Sequence, residues 1–523
     1  MRERAQKELA AALASPVARA IFVAILATTA LSLWEGRQGF TLWDEGFLWY
    51  GVQRVLAGEV PIRDFQAYDP GRYYFSAALM RLTGADGLMA LRRTLLIPQG
   101  LALATVLSLL AAGDRKRAGF AALGVSAMTL GAWMIPRYRL FDLSVSIGLV
   151  CALTFLVRRP TRLSEFLAGL AVGLAACIGR NHGVYGLIAS LGVLFYFSLN
   201  CQDWRALRQG CLFFLVGLIA GYLPLLLMLT SVQHFAPAFA DSIKLLFEVK
   251  ATNLPLPLPW PWRIRTLGVP LNESIESVLL GLFFVAMLLF GLAAALYVCA
   301  ARLVEKPVQP LLVACAFVGL PYLHYTLSRA DLSHVALGIF PMLIGILGIA
   351  MRAANPGRWL LLGLLCATSW GATIGRHPAW RCKTENACEW VALGGDQLQV
   401  DRGTASDISL LRRLATELAP GDRAFFVAPF WPGAYAVLNA KSPTWEIYTP
   451  WRKSDAFQRR EIERLAAAEP EFAVIVTVLL DGRDDLQYRN THPLIEQYIE
   501  DNFQRVNGMS QNRDLQIYRR QPK

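Results

Sequence analysis

Long runs of apolar residues alternate with short polar interruptions over the first three quarters of the chain, and this pattern sets the first expectation. Cys211 to Gln233 and Ser277 to Ala301 contain no charged residue. Each exceeds the roughly 20 residues that an α-helix needs to cross about 30 Å of hydrocarbon. Hydropathy places further spans near 15–34, 88–112, 118–136, 142–157, 163–179, 184–199, 310–326, 333–350 and 358–375, with the two charge-free stretches centred on 210–230 and 275–301. That makes about eleven spans, with Gly179 to Gly183 as a place where the chain can break between two short helices. The first segment is longer than a signal-peptide core and lacks a small-residue cleavage pattern before Glu35, so it is expected to remain as a span.

After Gly375 the pattern changes. Strand-like runs at Ala424–Ala428, Phe472–Val478 and Leu515–Tyr518 alternate with helix-like runs at Asp407–Leu418, Ser454–Ala467 and Pro493–Asn502, and Pro420-Gly421-Asp422 marks a turn. This order predicts a small sheet covered by helices. The expected fold class is therefore a polytopic α-helical membrane protein with a C-terminal soluble α/β domain. The membrane domain covers 1–375, with a first outer loop at 35–87, and the soluble domain covers 376–523. The tail holds neither a G-x-G-x-x-G nor a P-loop pattern, so neither of those nucleotide sites is expected.

Composition agrees. Of 523 residues, 55% are hydrophobic and only 17% charged, with a mean hydropathy of +0.39, too apolar for one soluble globule. The net charge of +12 would suggest nucleic acid in a soluble protein, but here the basic residues sort by loop. Arg115-Lys116-Arg117, Arg158-Arg159 with Arg162, Arg205 with Arg208, Arg302 with Lys306, and Arg352 with Arg358 share one side with Arg2, Arg4 and Lys7. The positive-inside rule makes that side the cytoplasm. The C-terminal domain is then outside, in the periplasm of a bacterial inner-membrane protein, and no nucleic-acid partner is expected.

Seven of the nine cysteines lie in or beside spans, where a thiol packs as a small apolar group. Cys382 and Cys388 follow the last span, in a region expected to face an oxidising compartment, which favours a bridge. Two unpaired thiols are the alternative, and metal ligation is disfavoured because no histidine or second cysteine pair follows at finger spacing.

Two outer loops are long. The second, Ser231 to Asn272, carries Leu-Pro-Leu-Pro-Leu-Pro-Trp-Pro-Trp at 254–262, a proline-locked strip suited to the headgroup level, either as a rigid connector or as a cover for a lipid tail. The first loop opens Leu42-Trp43-Asp44-Glu45-Gly46 and continues through Arg63-Asp64-Phe65 to Asp69-Pro70-Gly71-Arg72-Tyr73-Tyr74. Paired acids at a membrane surface are costly unless used or solvated. A solvated loop with a helix cap at Asp44 is the structural alternative.

This arrangement resembles the GT-C glycosyltransferases, including the aminoarabinose transferases and the protein O-mannosyltransferases of glycosyltransferase family 39. Their first outer loop opens with an Asp-Glu pair and runs into juxtamembrane helices. Arg139-Leu140-Phe141-Asp142, Arg180-Asn181-His182-Gly183 and Arg329-Ala330-Asp331 with His334 resemble the remaining outer-face motifs, and the α/β tail is similar to domains attached to many members.

The resemblance implies a membrane glycosyltransferase whose donor is a sugar on a polyprenyl phosphate and whose acceptor is a glycan, lipid or protein outside the cytoplasm. Attack by an acceptor hydroxyl needs a general base, and the departing lipid phosphate needs positive charge. By carry-over Asp44 is the candidate base, and Glu45 orients it or binds sugar hydroxyls. Arginine suits the phosphate because its planar fork donates bidentately and stays charged. Arg63, Arg72, Arg92, Arg93, Arg137, Arg139, Arg180 and Arg329 all fall on the outer side, and Arg139, Arg180 and Arg329 are the leading phosphate ligands. Asp64 and Tyr73 join Arg63 as substrate-side candidates from the first loop. His182 and His334 are candidates for hydrogen bonds to phosphate or sugar, with structural histidines at helix ends as the alternative. Asp142 and Asp331 are placed to pair with nearby arginines or to hold a divalent cation, as in some relatives. No tight ligand cluster is visible in the sequence, so no metal is assigned.

A transporter or flippase of a lipid-linked saccharide would also need outer-face arginines, but it should carry polar residues at midplane in interrupted helices rather than charges at span ends. A scaffold that binds glycan through its soluble domain is a third class.

Overall fold

A computed structural model of the chain describes residues 15–114, 116–249, 253–384, 387–421, 423–510 and 512–521. Arg2, Arg4, Lys7, Arg115 and Asp422, which entered the reading of loops and turns above, lie outside the described residues.

Each apolar segment folds as a helix. In chain order they are α1 (Pro16–Glu35), α2 (Asp44–Leu56) and α3 (Gly71–Thr83) of the first loop, α4 (Leu88–Gly113), α5 (Phe120–Ala132), α6 (Leu140–Arg158), α7 (Arg162–Ile178), α8 (Arg180–Ser198), α9 (Trp204–Ser231), α10 (Phe235–Val249), α11 (Leu271–Leu303), α12 (Pro310–Ser328), α13 (Leu332–Arg352) and α14 (Gly357–Thr373). Among the described residues, seven helices are both long and apolar enough to cross a membrane. Others among the expected spans are shorter, such as Phe120–Ala132 with 13 residues. The break foreseen at Gly179–Gly183 is present: Gly179 has extended backbone (φ −164°) between α7 and α8.

Most of these helices form the first of two compact units, whose described residues fall within 15–36, 95–227 and 253–380, while α2, α3 and α10 belong to the second. The centre of the first is α12, which packs against α6, α8, α11 and α13. Where α7 crosses α9 the contact is backbone on backbone. A Cβ on Gly169 would lie 1.9 Å from the Phe214 carbonyl oxygen, and one on Gly173 would lie 2.3 Å from that of Leu218. Gly217 and Gly221 on α9 answer them, at 2.0 Å from the Phe166 oxygen and 2.2 Å from the Leu170 oxygen. Both helices thus carry glycines four residues apart, the small-residue spacing that lets helices approach closely in lipid.

The second unit joins 37–94 and 228–252 to 381–523. The strands expected near 424, 472 and 515 appear as β3 (Phe426–Ala428), β4 (Phe472–Val476) and β6 (Leu515–Arg520), joined by an edge strand β5 (Phe503–Arg505). Strand order is β3-β4-β6-β5, with β3 and β4 parallel and the other pairs antiparallel. Helices α16 (Asp455–Ala468) and α17 (Pro493–Asn502) cover this sheet, and Leu465, Ile495 and Ile499 meet Phe426, Ala473 and Ile475 in a continuous core. An antiparallel hairpin, β1 (Cys388–Leu393) with β2 (Asp396–Asp401), precedes α15 (Arg402–Leu418). Cys382 and Cys388 are joined as a disulfide at the base of this hairpin.

Candidate functional site

In the second unit, the acidic pair of the first loop begins α2. Trp43 occupies the cap position and Asp44 is the first helical residue, so Asp44 is not the cap. Its carboxylate lies in the helix's first turn, where backbone N–H groups without helical partners favour negative charge. The two acids have different surroundings. Asp44 is half-buried. Glu45 is 5% exposed and receives Arg92 bidentately, Nε to Oε1 at 2.8 Å and Nη2 to Oε2 at 2.7 Å. Arg92 also donates to the Gly39 carbonyl at 2.5 Å, tying the start of the loop to the foot of α4.

The second brace on α2 comes from the tail. Gly433 N–H donates to the Leu42 carbonyl at 2.8 Å, Trp43 stacks on Phe430 at 5.0 Å, and the Tyr50 hydroxyl accepts from Ser442 N–H at 3.1 Å. Further along the loop, Arg63 and Asp64 close on each other through two hydrogen bonds of 2.8 Å. Arg63 donates to the Gln233 carbonyl and Asp64 accepts from Val60 N–H. The Arg63 guanidinium holds the Asp64 carboxyl below its ordinary range. Tyr73 is fully buried and its hydroxyl accepts from Tyr68 N–H at 3.1 Å. Arg63, Asp64 and Tyr73 thus shape the loop, with Tyr73 out of contact with solvent.

In the first unit, the Arg139–Asp142 and Arg180–Gly183 motifs form a polar cluster among α6, α8 and α12. Asp142, 3% exposed, accepts from His182 Nε2 at 2.9 Å, and the Tyr322 hydroxyl lies 2.6 Å from His182 Nδ1. A neutral imidazole protonated on Nε2 satisfies both contacts, donating to the carboxylate and accepting from the phenol. Arg139 lies 4.0 Å from Asp142 and 5.5 Å over the Tyr138 ring. Arg180 is the first residue of α8 and half-buried. Tyr185 and His324 join the cluster through a 2.6 Å hydrogen bond, and Tyr325 packs against His182 at 5.7 Å.

The third motif caps α13. Asp331 receives His334 N–H at 3.0 Å, His334 Nδ1 at 2.8 Å and Arg329 Nε at 2.7 Å. Burial raises its pKa, but the His334 and Arg329 contacts outweigh burial and bring it to about 2. His334 Nε2 accepts from Asn253 at 2.6 Å, and Arg329 donates to the Leu254 carbonyl at 3.1 Å. The structure therefore brings together Arg139, Asp142 and His182 in one cluster and Arg329, Asp331 and His334 in another. Tyr322, Tyr325 and His324 were not singled out from the sequence. Their signal was available, because three polar aromatic residues inside one apolar span are costly unless partnered. Among the described residues no group of three or more His, Cys, Asp or Glu side chains is arranged to hold a metal ion.

No protein-family model matches the chain, and no curated protein matches it by sequence. Solved structures do match its fold. ArnT from Cupriavidus metallidurans bound to undecaprenyl phosphate aligns over 95% of this chain and 97% of its own length, with 13% identity and a TM-score of 0.56. The apo state of the same protein gives 0.54 over 94% and 97%, also at 13% identity. The archaeal oligosaccharyltransferase AglB from Archaeoglobus fulgidus, in complex with an inhibitory peptide and a dolichol-phosphate, gives 0.50 at 10% identity over 92% of this chain and 72% of that one. At such identities the likeness is one of fold alone: the chain shares the fold of these solved structures over nearly its whole length.

Proposed function

We propose that this chain is a membrane glycosyltransferase that moves a sugar from a polyprenyl-phosphate donor to a hydroxyl-bearing acceptor, with Asp44 as general base. The observation that carries the reading is the unequal treatment of the two acids. Glu45 is neutralised by a buried bidentate arginine, while its neighbour keeps part of its surface in water at the start of the same helix. A carboxylate placed beside an acceptor hydroxyl can take its proton as the attack proceeds. Fold likeness over nearly the whole chain to proteins solved with undecaprenyl phosphate and with a dolichol phosphate supports the choice of donor.

In this mechanism the acceptor oxygen bonds to the anomeric carbon, its proton passes to Asp44, and the bond from that carbon to the lipid phosphate breaks. The phosphate leaves with its electron pair and calls for guanidinium charge, for which Arg139, Arg180 and Arg329 are the candidates read from the sequence. Asp142 and Asp331 keep Arg139 and Arg329 in place, since a charge at a span end needs a partner. The outer face of a bacterial inner membrane is the proposed site of reaction, with 376–523 periplasmic.

The test is transfer of radiolabelled sugar from synthetic polyprenyl-phosphate donors by purified protein in detergent. Label appearing in an acceptor fraction supports the reading. Intact donor moved across a liposome bilayer without sugar release would favour the flippase instead.

A further inference from the structure

We infer a second, separate lipid site at the arginine-rich end of the helical unit, one that takes the phosphate of an anionic phospholipid. A cavity of about 110 Å³ lies among the last turn of α4, the last turns of α6 and α13, and the first turn of α12. It is several times the roughly 10–15 Å³ that a single water requires. Its charged lining groups are Arg158 and Arg352, with Gln309 as a neutral donor and Leu110, Leu311 and Met351 as apolar wall.

Both arginines are exposed residues. Among the described residues, neither Arg158 nor Arg352 has a carboxylate or carbonyl partner for its guanidinium, and no acid lines the space. The nearby acid in sequence, Asp114, is engaged by Arg117 at 3.5 Å. Arg117 in turn donates to the Ala353 carbonyl at 2.7 Å, fixing the chain just beyond Arg352. At the start of α12, Pro310 has no N–H and Val313 N–H donates to the Gln309 carbonyl, which leaves the N–H groups of Leu311 and Leu312 without a helical acceptor. Two cations and a helix start facing one cavity favour an anion.

The surroundings select a lipid over a soluble anion. One helical turn before each arginine stands an exposed apolar residue, Phe155 before Arg158 (41% exposed) and Ile349 before Arg352 (44%). Residues three apart share a helix face, so each cation sits above an apolar surface suited to an acyl chain. Gly113 keeps the space open: a Cβ there would have only Arg352 Nη2 within 4.0 Å. This site is independent of the proposed sugar transfer and stands or falls without it.

The test uses the full chain in detergent, with bound lipid read by native mass spectrometry and heat unfolding followed in parallel. Phosphatidylglycerol should be retained on the order of tenfold more strongly than phosphatidylcholine. The double variant R158Q/R352Q should lose that preference, and G113L, which fills the cavity while both arginines remain present, should lose the bound lipid while melting like the parent. Equal retention of the two lipids, or unchanged phosphatidylglycerol binding in both variants, would overturn the site. Protection against heat by inorganic phosphate equal to that by phosphatidylglycerol would overturn the lipid assignment.

Discussion

Arg92 grips Glu45 through two parallel hydrogen bonds of 2.8 and 2.7 Å, with both side chains buried. The pair divides the labour of two adjacent acids. Breaking a buried ion pair from one side leaves an uncompensated charge and costs about 3–5 kcal/mol. Glu45→Gln should therefore lower the melting temperature sharply, and joint replacement as Glu45→Met with Arg92→Leu should restore much of the loss.

Asp44→Asn should behave oppositely, with stability near the parent and turnover down by roughly 10² or more, the usual worth of a positioned base. Donor binding should change far less than in Arg139→Ala or Arg180→Ala, because phosphate is charged in both ground and transition states. Melting curves with single-turnover transfer and donor titration separate these outcomes. Near-normal turnover in Asp44→Asn would remove the base assignment.

The sequence showed the apolar helices, the α/β tail and the motif order, because hydrophobic periodicity and span-end charges are local properties. It placed Asp142 with His182 and Asp331 with His334 among the candidates, but not Tyr322, whose role exists only because α12 packs against α8. Nor could it tell Glu45 from Asp44. That distinction rests on Arg92, 47 positions away, and no local pattern encodes such a contact. The grouping of 37–94 with 381–523 in one compact unit is likewise long-range. Edge strand β5 (Phe-Gln-Arg) and the β1–β2 hairpin escaped because they are only partly buried and lack the continuous buried apolar run that marks β3 and β4.

The tail's grip on α2 gives a prediction about Gly433. A Cβ there would lie 2.8 Å from the Leu42 carbonyl oxygen and 3.0 Å from Gly46 Cα, and one on Gly46 would lie 2.4 Å from Gly433 Cα. These neighbours are backbone and cannot turn aside. Gly433→Ala should displace the start of α2 and lower transfer activity by about tenfold or more, since small misplacements of reacting groups are costly. Secondary structure by circular dichroism should be retained. Parent-like turnover would show that the tail does not position Asp44.

Asp331 gives a pH dependence. Its pKa of about 2 lies below the roughly 3.9 of an unfolded aspartate. The folded state therefore prefers the ionised form, and the stabilisation is complete above about pH 4 and lost as pH falls toward 2. Its size is about 2 kcal/mol. Asp331→Asn should melt lower than the parent at neutral pH, and the gap should narrow steadily in acid as the parent carboxyl protonates. A gap that does not change between pH 7 and 3 would assign the loss to the helix cap alone rather than to charge.

Orientation decides whether the proposed chemistry faces the right compartment, and the bond between Cys382 and Cys388 makes it measurable. If the basic loops face the cytoplasm, as the positive-inside rule expects, the bonded pair and the acidic helix lie outside, where thiols oxidise. A reporter fused after the C-terminal residue should be active in the periplasm, and one inserted at Lys116 should be active in the cytoplasm. In intact cells a membrane-impermeant maleimide should label Cys382 and Cys388 only after reduction, in a variant whose other cysteines are replaced by alanine or serine. Labelling before reduction would mean free thiols. No labelling after reduction, joined to a cytoplasmic C-terminal reporter, would invert the topology and place Asp44 on the side opposite to that required for a donor presented at the outer face.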